Sequence, residues 1–298
     1  MAEKPKTISL VLGSGGARGH SHIGVIRAIE ERGIEITNIA GTSMGAVIGG
    51  IYAADKLDTY VEWAYRLEKS DVVRLLDLSF TRLSLFKGER IITVLKDLVG
   101  DRQIEDLERG FTAVATAVEE QREVWLNEGS LFGAIRASIA VPGVFSPVDY
   151  DGKLLVDGGI VNPVPIAPTL TDATDMTIAV NLSGLSDSYQ PPRETGKATT
   201  NDEGDNYRTK IAQFIGNLLE DDEEEDNQPD AADLLVKSID IMQGGIARLK
   251  LAAYTPDKII EIPRDACTFF EFHRAEEMAD LGYRQTQKAL DEIENKRD

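Results

Sequence analysis

Ser43 lies in a setting that favours covalent chemistry. Residues 41–45 read Gly-Thr-Ser-Met-Gly, a G-x-S-x-G pattern between a short apolar run and a helix-like run. A serine on such a sharp turn from strand to helix exposes its hydroxyl, and the first N–H groups of the helix favour negative charge beside it. Gly41 and Gly45 would let neighbouring backbone pack closely around the turn. We predict that Ser43 is a nucleophile, although this pattern also occurs by chance and needs support from other residues.

A glycine-rich loop at residues 13–19 follows the first apolar run of the chain and has three interpretations. A dinucleotide-binding loop needs G-x-G-x-x-G, but Arg18 stands at the sixth position. A phosphate-binding loop needs a lysine after its last glycine, and a histidine follows here. The third interpretation is an oxyanion hole, in which the N–H groups of Gly15 and Gly16 bind an acyl oxygen because no Cβ blocks its approach. Beside a nucleophilic serine, the third interpretation is favoured.

A serine nucleophile needs a base that accepts its proton, and the usual base is a histidine. This chain has three histidines. His20 and His22 precede Ser43, which does not fit the order Ser, Asp, His that α/β-hydrolases follow. His273 comes late enough, but it lies in a helix-like stretch without a glycine-rich loop to present it. A carboxylate base is therefore favoured over an imidazole.

Asp157 is the candidate base. It ends a short apolar run and precedes Gly158 and Gly159. We expect a tight turn to hold it at the carboxyl edge of the sheet, where open α/β sheets place their sites. The same three residues are also typical of a plain turn without function. A carboxylate at its ordinary pKa is a weak base, so this assignment requires burial of the carboxylate and a good oxyanion hole.

The order of elements predicts how these residues are positioned. Strand, glycine loop, helix, second strand and serine turn follow one another, and this alternation predicts an α/β fold with a mainly parallel sheet. A leucine-rich stretch at 71–86 predicts either an apolar lip for acyl chains or core packing. Two long helices are expected at 230–253 and 270–296. We expect one domain over residues 1–298, with a partly disordered acidic surface insertion at 184–229.

Four segments of the sequence together resemble the patatin-like phospholipase family, in particular its short bacterial cytoplasmic members. They are residues 14–19, 41–45, 137–147 and 157–159. Four segments in the right order and at the right spacing make a specific signal, which is strong over residues 7–182. Ser14 departs from the pattern, because the family usually has a glycine at this position.

The resemblance implies a serine lipid acyl hydrolase on a three-layer α/β/α fold. Ser43 and Asp157 would form a catalytic dyad that works through an acyl-enzyme, without a cofactor or a metal ion. The groups that would stabilise the oxyanion are the N–H groups of Gly15, Gly16 and Met44, with Arg18 supporting the loop or the oxyanion. The implied substrates are phospholipids, lysophospholipids or short fatty-acid esters. An alternative is a catalytically quiet module of the same fold that senses lipid.

The composition limits the classes of partner. The chain has 298 residues and a net charge of −19, which argues against a nucleic-acid binder and against broad adhesion to anionic membranes. Its single cysteine, Cys267, fits a reducing compartment. The sequence has no signal-peptide pattern and no apolar run long enough to span a bilayer. We therefore expect a cytoplasmic protein that contacts membrane surfaces transiently, and the sequence does not predict its oligomeric state.

Overall fold

The structure is a computed structural model, and it describes residues 6–77, 79, 84–185 and 231–295. The acidic insertion predicted at 184–229 lies outside the described residues except for its first two positions. No helix in the described part of the chain is long and apolar enough to cross a bilayer.

The described residues contain strands and helices in the alternating order that the sequence predicts. The strands are β1 Thr7–Leu12, β2 Glu35–Thr42, β3 Ser84–Phe86, β4 Gly110–Ala117, β5 Arg122–Leu126, β6 Gly143–Phe145, β7 Val148–Tyr150, β8 Lys153–Asp157, β9 Met176–Gly184 and β10 Lys258–Pro263. The helices are α1 Ser21–Glu31, α2 Met44–Ala53, α3 Leu57–Ala64, α4 Lys69–Leu75, α5 Glu89–Val99, α6 Leu131–Ser138, α7 Ala231–Tyr254 and α8 Ala275–Asn295.

Both long helices predicted near the C-terminus are confirmed. Helix α7 matches its predicted bounds within one residue at each end. Helix α8 begins five residues later than predicted, because a 3-10 turn, Phe272–Arg274, precedes it.

The central sheet is mainly parallel, as predicted. Strands β10, β9, β1, β2 and β4 pair in this order, each parallel to the next. Strands β5 and β8 both pair with β4 and are antiparallel to it, and β7 pairs antiparallel with β8. Strands β3 and β6 form a separate short parallel pair.

Helices cover both faces of this sheet, so the predicted three-layer α/β/α architecture is confirmed. Side chains alternate along a strand, and β1 therefore contributes to two cores. Leu10 and Leu12 belong to the larger core, which also holds side chains from α1, α2, α6 and α8. Val11 points to the other face, where it packs with Ala247 and Leu251 of α7. The glycine loop after β1 consequently has α7 on one side.

Candidate active site

Ser43 occupies the turn between β2 and α2 in a conformation that few residues adopt. Its φ is 56° and its ψ is −124°, and the residue is only 4% exposed. Such a backbone costs about 1–3 kcal/mol, so the surroundings must hold it in place. The N–H of Ser43 donates to Oγ of Ser138 at 2.9 Å, and that hydroxyl donates to the carbonyl oxygen of Val114 at 2.6 Å. This chain of hydrogen bonds ties the serine turn to β4.

The two glycines of the pattern make room for the close approach of α2 to the sheet. A Cβ on Gly45 would lie 2.0 Å from the carbonyl oxygen of Leu12 in β1. A Cβ on Gly41 would lie 2.4 Å from the carbonyl oxygen of Gly45. Both positions therefore exclude side chains for reasons of space.

The pairing register of β4 brings Asp157 to the level of Ser43. Strand β2 pairs with β4 only as far as Thr42, which lies opposite Val114. Strand β8 pairs with the rest of β4 and ends at Asp157, which lies opposite Ala115, the next residue. Strand β5 pairs with residues of β4 in both of these stretches, so it must lie along the other edge of β4. Strands β2 and β8 therefore meet end to end along one edge, with the candidate nucleophile and base at the junction.

Asp157 reaches its expected place by a route that we did not expect. It ends β8 just beyond the carboxyl end of β2, but β8 runs antiparallel to β4. Its last residue lies near Ser43 because β8 pairs with the edge of β4 beyond the point where the pairing with β2 ends. A Cβ on Gly158, the next residue, would lie 2.2 Å from the carbonyl oxygen of Val114. Only glycine fits at this junction.

The carboxyl group of Asp157 is buried and only partly satisfied. The residue is 1% exposed, and its Oδ1 accepts a hydrogen bond from the N–H of Gly159 at 2.7 Å. Its Oδ2 has no well-formed hydrogen bond within the described residues, although the Ser43 hydroxyl is near enough to lower the pKa of the carboxyl. Burial outweighs this effect and raises the pKa of Asp157 to about 7. A carboxyl group with such a pKa can exchange a proton near neutral pH.

The glycine loop needs its glycines because it packs tightly against neighbouring chain segments. Gly16 has a φ of +56°, and a Cβ there would lie 2.6 Å from the carbonyl oxygen of Phe269. A Cβ on Gly15 would lie 2.7 Å from the side chain of Leu182. These clashes are with the protein's own atoms, so packing by itself already requires glycine at both positions.

Three backbone N–H groups of the glycine loop and of the serine turn have no acceptor among the hydrogen bonds of the described residues. Two of them are the N–H groups of Gly15 and Gly16. Met44 is the first residue of α2, and the first N–H groups of a helix have no partner within it. Gly16, Ser43 and Met44 all line one cavity.

Helix α7 holds the glycine loop through residues that the sequence analysis missed. The Ser14 hydroxyl donates to Oε1 of Gln243 at 3.2 Å, so the serine at this unusual position has a partner. The Arg18 guanidinium forms an ion pair with Asp240 and donates to two backbone carbonyls of the segment after β10, at 3.1 and 3.4 Å. Polar residues three positions apart on the inner face of a long helix were the only sequence signal for this contact.

Two of the three histidines bond to groups other than Asp157. Nε2 of His20 lies 2.9 Å from the Tyr60 hydroxyl, and Nε2 of His22 lies 2.9 Å from the carbonyl oxygen of Gly13. Burial lowers the pKa of both imidazoles to about 4, so both are neutral at neutral pH. His273 lies in the 3-10 turn before α8 and does not line the cavity at Ser43.

An apolar cavity of about 100 Å³ opens from Ser43. Its walls are side chains of α2 to α5 and of the segments around α6 and α8. They are Val47, Tyr60, Trp63, Leu67, Val72, Leu75, Leu76, Ile91, Leu95, Ile139, Val141, Phe145, Phe269 and Phe272, with His20. Such a lining suits a hydrocarbon chain, because each methylene group moved out of water contributes about 0.8 kcal/mol.

The leucine-rich stretch at 71–86 lines the cavity with some residues and packs in a core with others, so each of the two predicted roles applies to a part of it. Leu75 and Leu76 line the cavity, as an apolar lip would. Leu85 and Phe86 are buried in a separate apolar cluster, as core residues are. Leu78, Phe80 and Leu83 lie outside the described residues.

The fold and this geometry define an α/β protein with a serine on a strand-to-helix turn beside a buried carboxyl group. Residues 10–170 match the family model of the patatin-like phospholipases. An uncharacterized NTE family protein of Mycobacterium bovis is 38% identical over 96% of this chain and 92% of its own length. The chain belongs to the patatin-like phospholipase family, and this membership supports lipid hydrolase activity.

Longer relatives match through one part of their chains. A lysophospholipase of Emericella nidulans is 34% identical over 61% of this chain and 12% of its own length. The human patatin-like phospholipase domain-containing protein 6 is 36% identical over 59% of this chain and 13% of its own length. The similarity to both is thus confined to a small part of those longer chains.

Proposed function

We propose that this protein hydrolyses acyl esters of lipids with a dyad of Ser43 and Asp157. The observation that supports this proposal most strongly is the buried Asp157 carboxyl group, with one oxygen lacking a well-formed hydrogen bond and a pKa of about 7, beside the Ser43 hydroxyl. A base with a pKa near the working pH combines a useful ionised fraction with good proton affinity.

The proposed reaction has two steps. In the first, Oγ of Ser43 attacks the acyl carbon while Asp157 takes the serine proton. The tetrahedral intermediate then expels the alcohol, which takes that proton from Asp157 and leaves an acyl group on Ser43. In the second step, water gives a proton to Asp157 and attacks the acyl-enzyme. The acid leaves, and Ser43 recovers its proton from Asp157.

The oxyanion of each step would be bound by backbone N–H groups of Gly15, Gly16 and Met44. Their lack of acceptors among the described hydrogen bonds supports this role, since such preorganised donors stabilise developing negative charge strongly in a site that excludes water. The contacts of Arg18 with Asp240 and with backbone carbonyls favour a role in holding the loop over direct contact with the oxyanion.

The proposed substrates have a single acyl chain, which the apolar cavity would bind. One cavity with an almost entirely hydrocarbon lining lies at Ser43. The Emericella nidulans relative is named a lysophospholipase, and a monoacyl phospholipid has one chain to place. We therefore propose lysophospholipids and simple fatty-acid esters as substrates.

Labelling with a fluorophosphonate probe tests the proposal directly. We expect the wild-type protein to gain the mass of one covalent adduct at Ser43 and to release fatty acid from lysophosphatidylcholine. A protein that binds lipid but neither reacts with the probe nor hydrolyses any ester would instead be the quiet lipid-sensing module.

The pH dependence of kcat/KM follows from the raised pKa of Asp157. The base acts only when deprotonated, so we expect activity to be constant above pH 7 and to fall about tenfold per pH unit below it. A pH series with a soluble chromogenic ester measures this. Activity that stays constant throughout the acidic range would exclude a base with this pKa.

Replacement of His273 by alanine is expected to leave most of the activity, because this residue does not line the cavity at Ser43. The comparison is kcat/KM for the chromogenic ester in the two proteins at pH 8. A loss of several orders of magnitude in kcat/KM would indicate that His273 is the base and would contradict the dyad.

Val72→Phe tests whether the cavity binds the acyl chain. Val72 is buried and lines the cavity, so the larger ring is expected to shorten it. The ratio of kcat/KM for a long-chain ester to that for a short-chain ester should fall roughly tenfold or more. Val73→Phe is the matched control, since Val73 is not among the described residues that line the cavity. Equal ratios in both variants would place the acyl chain elsewhere.

A further inference from the structure

The outer face of α7 combines apolar and basic side chains and carries no exposed acid between residues 234 and 254. Leu249 is 72% exposed and Ile241 is 62% exposed. The exposed residues of this face are Leu234, Leu235, Lys237, Ser238, Ile241, Met242, Arg248, Leu249, Ala252 and Ala253. At 100° per residue they fall within an arc of roughly 160°, with Lys237 and Arg248 together at one border. We call this surface the outer face of α7.

The charge on the outer face of α7 is opposite to that of the whole protein. The chain has 51 acidic and 32 basic residues, yet among residues 234–254, the part of the helix whose exposure the structure describes, the only exposed charged residues are Lys237 and Arg248. Asp240, an acidic residue of the same helix, is partly buried and forms an ion pair with Arg18. Leucine, isoleucine and methionine bordered by lysine and arginine are typical of helices that lie in the interface of an anionic lipid surface.

The opposite face of α7 contacts the candidate active site. Gln243 bonds to Ser14, and Asp240 bonds to Arg18, both in the glycine loop. A Cβ on Gly159, two residues after Asp157, would lie 2.4 Å from Nε2 of Gln243. A helix with its side chains is about 10–12 Å across, so a surface in contact with the outer face lies about that far from the glycine loop.

We propose that the outer face of α7 docks the protein on a phospholipid surface that bears anionic head groups. Ile241, Met242 and Leu249 enter the boundary between head groups and acyl chains, while Lys237 and Arg248 contact lipid phosphates. This inference rests on the proposed function in one respect, because docking brings a lipid hydrolase to its substrate. The net charge of −19 opposes broad adhesion to an anionic surface, so docking there requires a face whose own charge is positive, as that of the outer face of α7 is.

The test is flotation of the 298-residue protein with vesicles. One set contains phosphatidylcholine alone and the other contains phosphatidylcholine with phosphatidylserine. Two double variants are compared with the wild type. One combines Ile241→Asn with Leu249→Asn, and the other combines Lys237→Gln with Arg248→Gln. Matched controls on other surfaces are Leu170→Asn, where the side chain is 57% exposed, and Lys288→Gln on α8. Hydrolysis of a soluble short-chain ester is measured in every sample.

We expect wild type to float best with the vesicles that contain phosphatidylserine. The double asparagine variant should lose about tenfold or more of its partition into both kinds of vesicle. The double glutamine variant should lose its preference for the anionic vesicles, and the two controls should behave as wild type. All four variants should hydrolyse the soluble ester at the wild-type rate.

Three outcomes would overturn the docking proposal. Wild-type protein that floats with neither vesicle, or a double asparagine variant that floats as wild type, would show that lipid does not bind this face. A third outcome is a wild type that forms a dimer and does not float, with a double asparagine variant that is a monomer. It would assign the face to contact with a second copy of the chain. Failure of the wild type to hydrolyse the soluble ester contradicts only the proposed function, because flotation is measured without catalysis.

Discussion

Replacement of Ser43 by alanine is expected to abolish ester hydrolysis, with a loss in kcat of roughly 10³-fold or more. The variant keeps the cavity and the backbone N–H groups but has no atom that can form the acyl-enzyme. The fold should survive, because the hydrogen bond to Ser138 uses the backbone N–H of residue 43, which alanine retains. Alanine meets the same backbone strain at a φ of 56° as serine does.

The measurement is kcat for a chromogenic ester, together with covalent labelling by a fluorophosphonate and the melting temperature. Ser238→Ala, at an exposed position on α7, is the control and should be labelled as wild type. If Ser43→Ala still formed the adduct, another residue would be the nucleophile and the dyad would be wrong.

Replacement of Asp157 by asparagine is expected to lower kcat by roughly 10³-fold or more, because an amide cannot take the serine proton. The same change should stabilise the protein at alkaline pH. The pKa of this carboxyl rises from 3.8 to about 7 on burial, so folding favours its protonated form. Stability is therefore lost as the pH rises from about 4 through 7, and the neutral amide avoids this loss.

The effects of Asp157→Asn on catalysis and on stability can be measured separately. At pH 8 the melting temperature of Asp157→Asn should exceed that of wild type by several degrees, and the difference should vanish below pH 4. Asp151→Asn is the matched control in the turn before β8, where the residue is exposed and asparagine tolerates its φ of 50°. An Asp157→Asn variant with near wild-type kcat would rule out this base.

Much of the candidate site could be predicted from short stretches of sequence. Ser43 was identified because a strand, a G-x-S-x-G turn and a helix follow one another within a few residues, and backbone preferences act over that range. Asp157 and the glycines of residues 13–19 were identified in the same way, from local spacing. The mainly parallel sheet followed from the alternation of strands and helices.

The direction of β8 could not be predicted in this way. Pairing between β4 and β8 joins residues about 40 positions apart, and nothing within either strand states the orientation of its partner. The sequence indicated a strand that ends at Asp157, and the local pattern suits either orientation. Only the pairing of both β2 and β8 with one edge of β4 places the two side chains together.

By itself the sequence therefore determined the chemical types of the candidate groups and the α/β class, because both depend on patterns of neighbouring residues. The tertiary structure alone decided the surroundings of those groups. It buried Asp157 and so raised its pKa, and it paired Ser14 and Arg18 with α7, more than 200 residues further along the chain. Burial and long-range contacts are properties of the packed chain, and a pKa depends on them more than on the residues beside it in sequence.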